Sequence, residues 1–327
     1  MSTETIAPTL PPEIRNDYAI SDDAAIYGLT GGLVNETMLV VNRGERTILQ
    51  RLSPVLSVGA IGDMEAVSAH LSAHGWETPR LIPTVDDQPY ATDNTQTLWR
   101  QTKFINSDGH PPITVSPDLS GEVGHLLGAW HVSMASFDRT PSHQIPYFHD
   151  AGHHAKKMES YLDSLPDGAS KQLGETILAA YQENIEEILD DGQQFIHGDP
   201  KLNNWLFRCG DPFTLIDYDT VMPHSPWTDV GDFIRSVAGQ GPVDGLAPHV
   251  AQFMEGYRRS TGIEVPTDQA YQATGRVALV LAMRYLCDVV DGSYFSWDSE
   301  RHQSRRDNHV ARAKIQLGVA RQALANC

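Results

Sequence analysis

The chain has 327 residues, of which 24 are Lys or Arg and 42 are Asp or Glu, so its formal net charge at pH 7 is −18. This acidic balance argues against a broad nucleic-acid or anionic-membrane surface, and a nucleotide would need a local positive island. Hydrophobic residues at 40% and charged residues at 20% are typical of a globular protein with one large or two modest domains.

Three cysteines, Cys209, Cys287 and Cys327, show no CxxC spacing, which predicts neither a disulfide framework nor a thiolate zinc site. The first residues, MSTETIAPTLPP, lack the basic and apolar regions of a secretory signal, and no apolar run is long enough for a membrane span. Together these features predict a cytoplasmic protein.

The first part of the chain predicts a small domain of sheet and helix. Residues 1–25 contain prolines and little periodicity, which indicates a tail or a loose strand. A strand, a glycine loop, a strand, a hairpin turn and another strand follow, then a helix over Ala60 to His74. Further strands are predicted near 81–83, 89–91 and 97–105, which places this domain at 26–105.

The rest of the chain predicts a larger, mainly helical domain. Residues 106–118 include NSDGHPPITVSP, and their Pro, Gly and polar content predicts a linker. Apolar residues then recur at helical spacing, so residues 119–327 are predicted to form this domain. The predicted helices are 119–134, 170–190, 247–257, 269–290 and 305–324.

A cluster of histidines raises the question of a metal site. His149, Asp150, His153 and His154 lie close in sequence, but no carboxylate or cysteine elsewhere completes a tetrahedral set. We therefore prefer a helix start with solvated histidines, and no transition metal is predicted.

The stretch FIHGDPKLNNWLFRCGDPFTLIDYD, from Phe195 to Asp219, concentrates charged and amide groups within a predicted strand, loop and strand. A compact loop could bring Asp199 and Asn204 to one point, with Asp217 arriving from the end of the second strand. Three oxygen donors of this kind suit Mg²⁺ with nucleotide phosphates, and phosphoryl transfer also needs a carboxylate such as Asp199 to orient the attacking hydroxyl. An acidic surface hairpin is the alternative.

The pattern His197-x-Asp199-x-Lys201-x-x-Asn204, followed by Ile216-Asp217-x-Asp219, resembles the signature of the aminoglycoside phosphotransferase and choline kinase group. The segments GLVNETMLV, TILQ, DPKLNN, IDYDTVMP, MRYL and GSYF extend the likeness and are most similar to bacterial N-acetylhexosamine 1-kinases. The resemblance implies an α+β, two-lobed, protein-kinase-like fold with a small, mainly antiparallel β-sheet lobe and a larger, mainly α-helical lobe.

The resemblance also implies ATP and Mg²⁺ as cofactors, together with roles for individual residues. Asp199 becomes the catalytic base, Lys201 a contact to the transferring phosphate, and Asn204 and Asp217 the Mg²⁺ ligands. Supporting roles fall to His197, Asp219 and Glu65, and Asp219 is an alternative metal ligand. Nucleotide contacts are implied for Gly31, Gly32, Asn35, Thr37, Gln50, Lys103, Phe104 and Ile105.

The third strand departs from the wider pattern. Protein-kinase-like folds place a Lys or Arg there to bind phosphates and to pair with a helix glutamate, whereas this chain has Gln50. Arg51 points to the other face unless a bulge intervenes, so the compensating group stays open. For Glu65, an exposed helix glutamate is an equal alternative to a phosphate-side role.

Other acids and one arginine allow two interpretations each. Asp229 and Asp232 open a predicted helix, and we prefer a capping role, although the resemblance adds that one of them could brace the catalytic loop. Arg284 lies in an apolar run, so it either pairs with an acid or faces a polar cavity. By resemblance, Arg284 and Tyr294 become sugar contacts, whereas Leu33 replaces a His of those kinases, which leaves the exact sugar open.

We therefore predict an ATP- and Mg²⁺-dependent kinase of a small hydroxylated molecule, with the anomeric hydroxyl of an N-acetylhexosamine (GlcNAc or GalNAc) as acceptor and with no nucleic-acid or membrane partner. One alternative is an aminoglycoside, amino-alcohol or other sugar kinase of the same fold. The other is a nucleotide-binding pseudokinase, suggested by the missing strand lysine. The oligomeric state is not predicted.

Overall fold

The computed structural model describes residues 9–29, 34–108, 115–184, 193–239, 245–264 and 266–327. Contacts divide this part of the chain into two compact units. The first contains the described residues up to Ser107 together with Asp138–Ile145, and the second contains Asp108–Phe137 and Pro146–Cys327.

An antiparallel sheet forms the first unit. The strand order is β1-β2-β3-β6-β4, and β5 also pairs with β6. Residues of alternating burial explain the strands, because successive side chains in a strand point to opposite faces. The strands are β1 (Ala25–Leu29), β2 (Glu36–Asn42), β3 (Glu45–Arg51), β4 (Leu81–Ile82), β5 (Ala91–Thr92) and β6 (Leu98–Lys103).

One face of the sheet is covered by the segment that the sequence assigned to a tail. Helix α1 (Pro12–Asp17) buries Ile14 against the sheet residues Met38 and Leu49. The Tyr18 hydroxyl donates a hydrogen bond to the Trp99 carbonyl at 3.0 Å. The prediction of a loose tail over 1–25 is therefore wrong for residues 9–25, because a six-residue helix is too short to show apolar periodicity.

The other face carries helix α2 (Val58–Ala73), which packs through Ala60 and Ile61 against Leu52 and the partly buried Leu98. Its apolar spacing of three and four residues is the pattern that predicted it.

The second unit is mainly helical. Helix α3 packs along α7, and α8 packs against α6 and α9. The approach of α3 to α7 is so close that a Cβ at Gly256 would lie 1.9 Å from the Gly121 carbonyl oxygen. The helices are α3 (Pro117–Met134), α4 (Ala151–Tyr161), α5 (Gly168–Glu183), α6 (Pro226–Ala238), α7 (Ala247–Thr261), α8 (Thr267–Asp291) and α9 (Arg305–Leu324).

Two short antiparallel pairs complete this unit. Strand β7 (Gln194–Ile196) pairs with β10 (Met222–His224), and β8 (Trp205–Arg208) pairs with β9 (Asp211–Leu215). The antiparallel sheet in the first unit and the helical second unit confirm the predicted fold class. Among the described helices, none has both the length and the apolar character to cross a bilayer.

Candidate active site

The loop between β7 and β8 holds the residues that the sequence singled out. It begins with a sharp turn at Gly198, whose φ is +84°. A Cβ at this position would lie 2.4 Å from the Thr220 carbonyl oxygen, so glycine is required both for its backbone conformation and for space. The Thr220 hydroxyl also donates to the His197 carbonyl at 2.8 Å. These contacts set the direction in which Asp199 leaves the turn.

A buried carboxylate, Asp229, holds the same turn. Its Oδ2 accepts from the His197 N–H at 2.7 Å, and its Oδ1 accepts from the Gly198 N–H at 2.8 Å. The His131 Nε2–H also donates to Oδ2, at 3.0 Å. The preferred capping role is therefore wrong for Asp229, because both carboxylate oxygens are turned from the start of α6 to the loop. Burial by itself would raise its pKa, but hydrogen bonds from His131 and the loop hold the pKa below its usual range.

His197 connects this loop to the next strand. Its Nδ1 accepts from the Asp199 N–H at 3.2 Å, and its Nε2 donates to the Ile216 carbonyl at 3.0 Å. Burial lowers the pKa of His197, which favours this neutral, Nε2-protonated ring. The imidazole thus fixes the position of Asp199 relative to Ile216, the residue before Asp217.

Asp199 lies between two cations. The Lys201 ammonium contacts its Oδ2, and Arg235 Nη2 lies 3.9 Å from its Oδ1. The Asn204 side-chain amide donates to the Asp199 carbonyl at 2.8 Å and lies 3.4 Å from Oδ2. Burial would raise the pKa of Asp199, but Lys201 and Arg235 outweigh burial and hold the pKa below its ordinary value. Asp199 is therefore ionised at neutral pH.

Sequence reasoning missed Arg235, which lies one helical turn after Asp232 on α6. Asp232 Oδ1 accepts from Arg235 Nε at 2.9 Å and from Nη2 at 2.5 Å. Asp232 thus orients the arginine, and the preferred capping role is wrong here too. Burial, with the charge of Asp199 nearby, raises the pKa of Asp232 to about 6, although Arg235 opposes this shift. The sequence did contain one indication of this pair, because Asp232 and Arg235 are three residues apart on a predicted helix, a spacing at which an acid and a base can interact.

Asn204 and Asp217 are held side by side. The Ile216 N–H donates to the Asn204 carbonyl at 2.9 Å, and Asp217 follows Ile216 with a left-handed φ of +73°. Burial disfavours a charged Lys201, but Asp199 and Asp217 together raise its pKa. Asp217 therefore lies close enough to interact with the same ammonium as Asp199. Asp219 is half-buried on the next short turn, Tyr218–Thr220.

The pair Asn204 and Asp217 fits a magnesium ion in the chemistry of its donors. The Asn204 amide nitrogen faces Asp199, which leaves the amide oxygen for another partner. Carboxylate and amide oxygens are hard ligands of the kind that Mg²⁺ accepts, with its remaining positions filled by water and phosphate.

Arg284 and Tyr294, the two residues that the resemblance assigned to the sugar, lie next to each other; their role in sugar binding stays a prediction. The guanidinium carbon of Arg284 lies 4.5 Å from the Phe148 ring centroid, 5.0 Å from that of Tyr294 and 5.5 Å from that of Phe295. Within the described residues these rings, rather than an ion pair, are its partners. Cation–π contacts of this kind compensate a half-buried guanidinium.

A second buried carboxylate, Asp288, holds the loop that carries Tyr294, and sequence reasoning missed it. Its Oδ1 accepts from the N–H groups of Ser293 at 3.1 Å and Tyr294 at 2.9 Å. Its Oδ2 accepts from Phe295 N–H at 3.0 Å and from His309 Nε2–H at 2.9 Å.

His149 joins the aromatic cluster to the catalytic loop. Its Nε2 donates to the Gly198 carbonyl at 2.7 Å, and its neighbour Phe148 lies under Arg284. Burial, with a contribution from the Arg284 charge, lowers the pKa of His149 to about 3 and that of His154 to about 4. The prediction of solvated histidines is therefore wrong for these two, because His149 bonds to the catalytic loop ahead of α4 and His154 is desolvated on α4 itself. The predicted helix start is confirmed: Asp150 caps α4 by accepting from the His153 N–H at 2.8 Å.

In the first unit, Gln50 forms a hydrogen-bonded row across three strands. Its Nε2 donates to Thr37 Oγ1 at 3.2 Å, and its Oε1 accepts from Arg100 Nε at 2.8 Å. The register pairs Thr37 with Gln50 and Gln50 with Arg100, so all three side chains share one face. Arg100 was not among the predicted site residues.

Glu65 has a different partner from the one that the resemblance implied. Its Oε1 accepts from Arg80 Nε at 2.8 Å, and its Oε2 accepts from the Leu81 N–H at 2.9 Å. Glu65 therefore joins α2 to the start of β4, because Gln50 carries no charge to attract it.

The other predicted nucleotide residues are at strand ends or beyond the described residues. Asn35 Oδ1 accepts from the Ser53 N–H at 2.9 Å. Lys103 is exposed at the end of β6, and Phe104 lies 4.3 Å from the Arg46 guanidinium carbon, with Ile105 half-buried after it. Adenine binding at these three residues stays a prediction. The predicted loop residues Gly31 and Gly32 lie outside the described residues.

Comparisons with known proteins identify a family and a set of similar folds. Residues 26–263 match the phosphotransferase enzyme family, abbreviated APH. A microcompartment-associated aminopropanol kinase has a similar structure, with a TM-score of 0.67 at 17% identity, over 95% of each chain. An amicoumacin kinase, solved with AMP-PNP and Ca²⁺, has a TM-score of 0.65 at 13% identity, over 93% of this chain and 91% of that one. Choline kinase from Cryptosporidium parvum Iowa II has a TM-score of 0.63 at 13% identity, over 95% and 93%.

At these identities the solved structures support the fold, whereas the family match covers most of the chain, including the Asp199 loop and Asp217. The chain therefore belongs to the phosphotransferase enzyme family.

Proposed function

We propose that the protein transfers the γ-phosphoryl group of ATP to a hydroxyl group of a small, neutral acceptor, with Mg²⁺ as the metal. The specific acceptor that we propose is the anomeric hydroxyl of an N-acetylhexosamine, and the product is the sugar 1-phosphate. The observation that carries the proposal is the grouping of Asp199, Asn204 and Asp217 around Lys201 in a chain of this family.

In this reaction Asp199 accepts the hydroxyl proton while the acceptor oxygen bonds to the γ-phosphorus and the bond to the bridging oxygen of ADP breaks. The lowered pKa keeps Asp199 ionised at neutral pH, so that it can accept a hydrogen bond from the acceptor hydroxyl. As a weak base, the carboxylate would take the proton only late in the transfer. Lys201 contacts Asp199, and in this proposal its ammonium offsets negative charge on the moving group. Asn204 and Asp217 would hold Mg²⁺, which supplies charge neutralisation for the nucleotide phosphates.

The charge of the aromatic cluster supports a neutral acceptor. Arg284 already lies over the rings of Phe148 and Tyr294, where an ammonium group of an amine substrate would meet a like charge. The bond from His149 to Gly198 brings this cluster next to the residue that precedes Asp199. Two of the similar solved structures are named as kinases of aminopropanol and choline, and the charge of Arg284 argues against an amine acceptor of that kind here.

The test is an acceptor panel read by ADP release. It contains N-acetylglucosamine, N-acetylgalactosamine, free hexoses, choline, homoserine and an aminoglycoside. We expect turnover of the N-acetylhexosamines, with a phosphorus NMR signal coupled to the anomeric proton. Turnover of cationic acceptors alone would overturn the neutral-acceptor proposal.

Asp199→Asn tests the catalytic assignment, and we expect activity to fall by about 100- to 10,000-fold. Asp163→Asn is the matched control, because Asp163 is 92% exposed and pairs with Lys171 on the surface. Equal activity of Asp199→Asn and the parent would contradict the role of Asp199. Nucleotide binding by the parent without turnover of any acceptor would favour a pseudokinase.

A further inference from the structure

The two oxygens of the Asp199 carboxylate have different surroundings. Oδ2 is contacted by the Lys201 ammonium and lies 3.4 Å from the Asn204 amide nitrogen. Oδ1 has no hydrogen bond within the described residues, and Arg235 Nη2 lies 3.9 Å from it, which is too long for a direct hydrogen bond. Oδ1 is therefore the oxygen that can accept from an attacking hydroxyl, an interpretation that rests on the proposed function.

Arg235 has N–H groups that its own ion pair does not use. Its Nε and Nη2 both donate to a single oxygen, Asp232 Oδ1, at 2.9 and 2.5 Å. A guanidinium carries five N–H groups, so three of them have no hydrogen-bond partner within the described residues. The unpaired Nη1 is not fully enclosed, and the side chains of Arg235 and Asp199 are 10% and 22% exposed. Both groups are therefore open to an atom of a ligand.

Arg235 and Lys201 approach different oxygens of Asp199, and they also have different neighbours. Lys201 interacts electrostatically with Asp217 as well, so it lies toward the proposed magnesium ligands. Arg235 interacts electrostatically with Tyr285, a residue of α8. Asp199 therefore has one cation toward the proposed metal site and another toward α8.

Tyr285 connects Arg235 to the aromatic cluster around Arg284. The Tyr285 ring centroid lies 4.6 Å from that of Phe295, and the Phe295 centroid lies 4.7 Å from that of Tyr294. Arg284 lies over the rings of Tyr294 and Phe295. Since the proposed acceptor lies against this cluster, Arg235 is near the acceptor as well as near the catalytic carboxylate.

We propose that Arg235 binds the ring oxygen of the sugar while the neighbouring anomeric hydroxyl donates to Asp199 Oδ1. A guanidinium only donates hydrogen bonds, so the atom that it binds must be an acceptor. In a pyranose the ring oxygen and the anomeric hydroxyl are bonded to the same carbon, so the two atoms suit protein groups that are 3.9 Å apart. Asp232 is a positioning residue, because it fixes the plane of the guanidinium. The acceptor class is therefore a cyclic hemiacetal and not an isolated alcohol.

Calorimetric titration in the presence of ADP and Mg²⁺ tests this contact separately from turnover. The ligands are N-acetylglucosamine and its carba analogue, in which a methylene group replaces the ring oxygen. We expect the parent to bind the natural sugar about 10- to 100-fold more tightly, because the analogue removes a hydrogen bond to a charged donor. In Arg235→Gln the preference should disappear, because the shorter amide does not reach the ring oxygen.

A residue that only maintained the structure would weaken both sugars equally and leave the preference as it is in the parent. Arg235→Lys guards against a folding defect, since it keeps the charge beside Asp199 and loses the planar fork. For it we expect an intermediate preference, unchanged ADP affinity and a native circular dichroism spectrum. Arg258→Gln is the matched control, because Arg258 forms an i, i+3 ion pair with Glu255 on the exposed face of α7, and its sugar preference should equal that of the parent.

The proposal is overturned if the parent binds both sugars equally, or if Arg235→Gln keeps the parent's preference. If Arg235→Gln also loses ADP binding, Arg235→Lys decides by the same comparison, and a full preference in that variant contradicts the contact. Failure of the proposed function looks different, because the parent would then bind N-acetylglucosamine without phosphorylating it. A parent that binds neither sugar contradicts both proposals.

Discussion

Two loops of the second unit are each organised by one buried aspartate and one histidine. Asp229 accepts from two backbone N–H groups of the catalytic loop and from His131. Asp288 accepts from three backbone N–H groups of the loop that carries Tyr294, and from His309. In both places one carboxylate accepts hydrogen bonds from backbone N–H groups that, in a loop, have no carbonyl acceptor from a helix or sheet.

The two aspartates differ in their positions on their helices and in how exposed their partners are to water. Asp229 lies near the start of α6, where the helix dipole favours an acid, whereas Asp288 lies in the last turn of α8, where the dipole disfavours one. The carboxylates are about equally buried, with Asp229 0% and Asp288 2% exposed, but around Asp288 the donor residue Ser293 is exposed and the partly exposed Arg305 lies 3.8 Å away. Hydrogen bonds from the loop therefore outweigh the unfavourable helix dipole at Asp288. The surroundings of Asp229, which holds the catalytic loop, are the more shielded from water.

The largest expected effect is that of Asp229→Ala. It leaves two loop N–H groups and His131 without their acceptor in a dry site, so the free energy of unfolding should fall by about 3–5 kcal/mol. Displacement of Asp199 should lower kcat about 100-fold. Urea unfolding and ADP release measure both. Asp229→Asn retains one side-chain oxygen as an acceptor, so its losses of stability and kcat should be smaller. A stable, fully active Asp229→Ala would show that the catalytic loop keeps its conformation without this carboxylate.

Asp288→Ala should cost less, about 2–3 kcal/mol, because water can reach some of the freed donors. The displaced Tyr294 loop should raise KM for the acceptor about tenfold and leave KM for ATP unchanged. Asp291→Ala is the matched control at the same helix end, since Asp291 binds the side chains of Lys157 and Tyr161. Equal changes in both KM values would contradict a role confined to the acceptor loop.

His149 adds a pH-dependent support to the catalytic loop. Its pKa is about 3 in the folded protein and about 6.5 when unfolded, so its stabilising contribution is complete above pH 6.5 and declines as pH falls toward 3. Between pH 7 and 5.5 the free energy of unfolding should fall by about 1 kcal/mol through this ring alone. Urea titrations of the parent and His149→Gln at both pH values measure the difference, and parallel losses would exclude His149 as the source.

The smallest effect is expected for Arg305→Gln. Arg305 is 36% exposed and 3.8 Å from Asp288, so solvent screens most of its attraction, and stability should change by less than about 1 kcal/mol. Thermal unfolding measures this change. A loss as large as that of Asp288→Ala would mean that the arginine, and not the backbone donors, stabilises the carboxylate.

Local spacing was sufficient for much of the fold. Helices α7, α8 and α9 lie where apolar periodicity predicted them, since that periodicity is set within each segment. Helix α1 was missed because six residues show too little of such a pattern. The motif residues could be named as a group because the chemistry of phosphoryl transfer requires those side chains near one another.

The partners of the motif residues were less accessible to sequence reasoning. Asp229 is more than thirty positions from His197, and Arg100 is fifty positions from Gln50. Nothing in either segment indicates its partner, because the register of strands and the packing of helices bring them together. The same holds for His149, whose burial reverses the expectation of a solvated ring.

By itself, the sequence determined which groups are available for chemistry between His197 and Asp219, and which faces of the long helices are apolar, because both follow from residues close along the chain. Only the tertiary structure decided which charges are buried and what each one contacts: Arg235 beside Asp199, Arg100 beside Gln50 and Asp288 beneath the Tyr294 loop. Desolvation and hydrogen bonding depend on neighbours in space, and those neighbours are far apart in sequence.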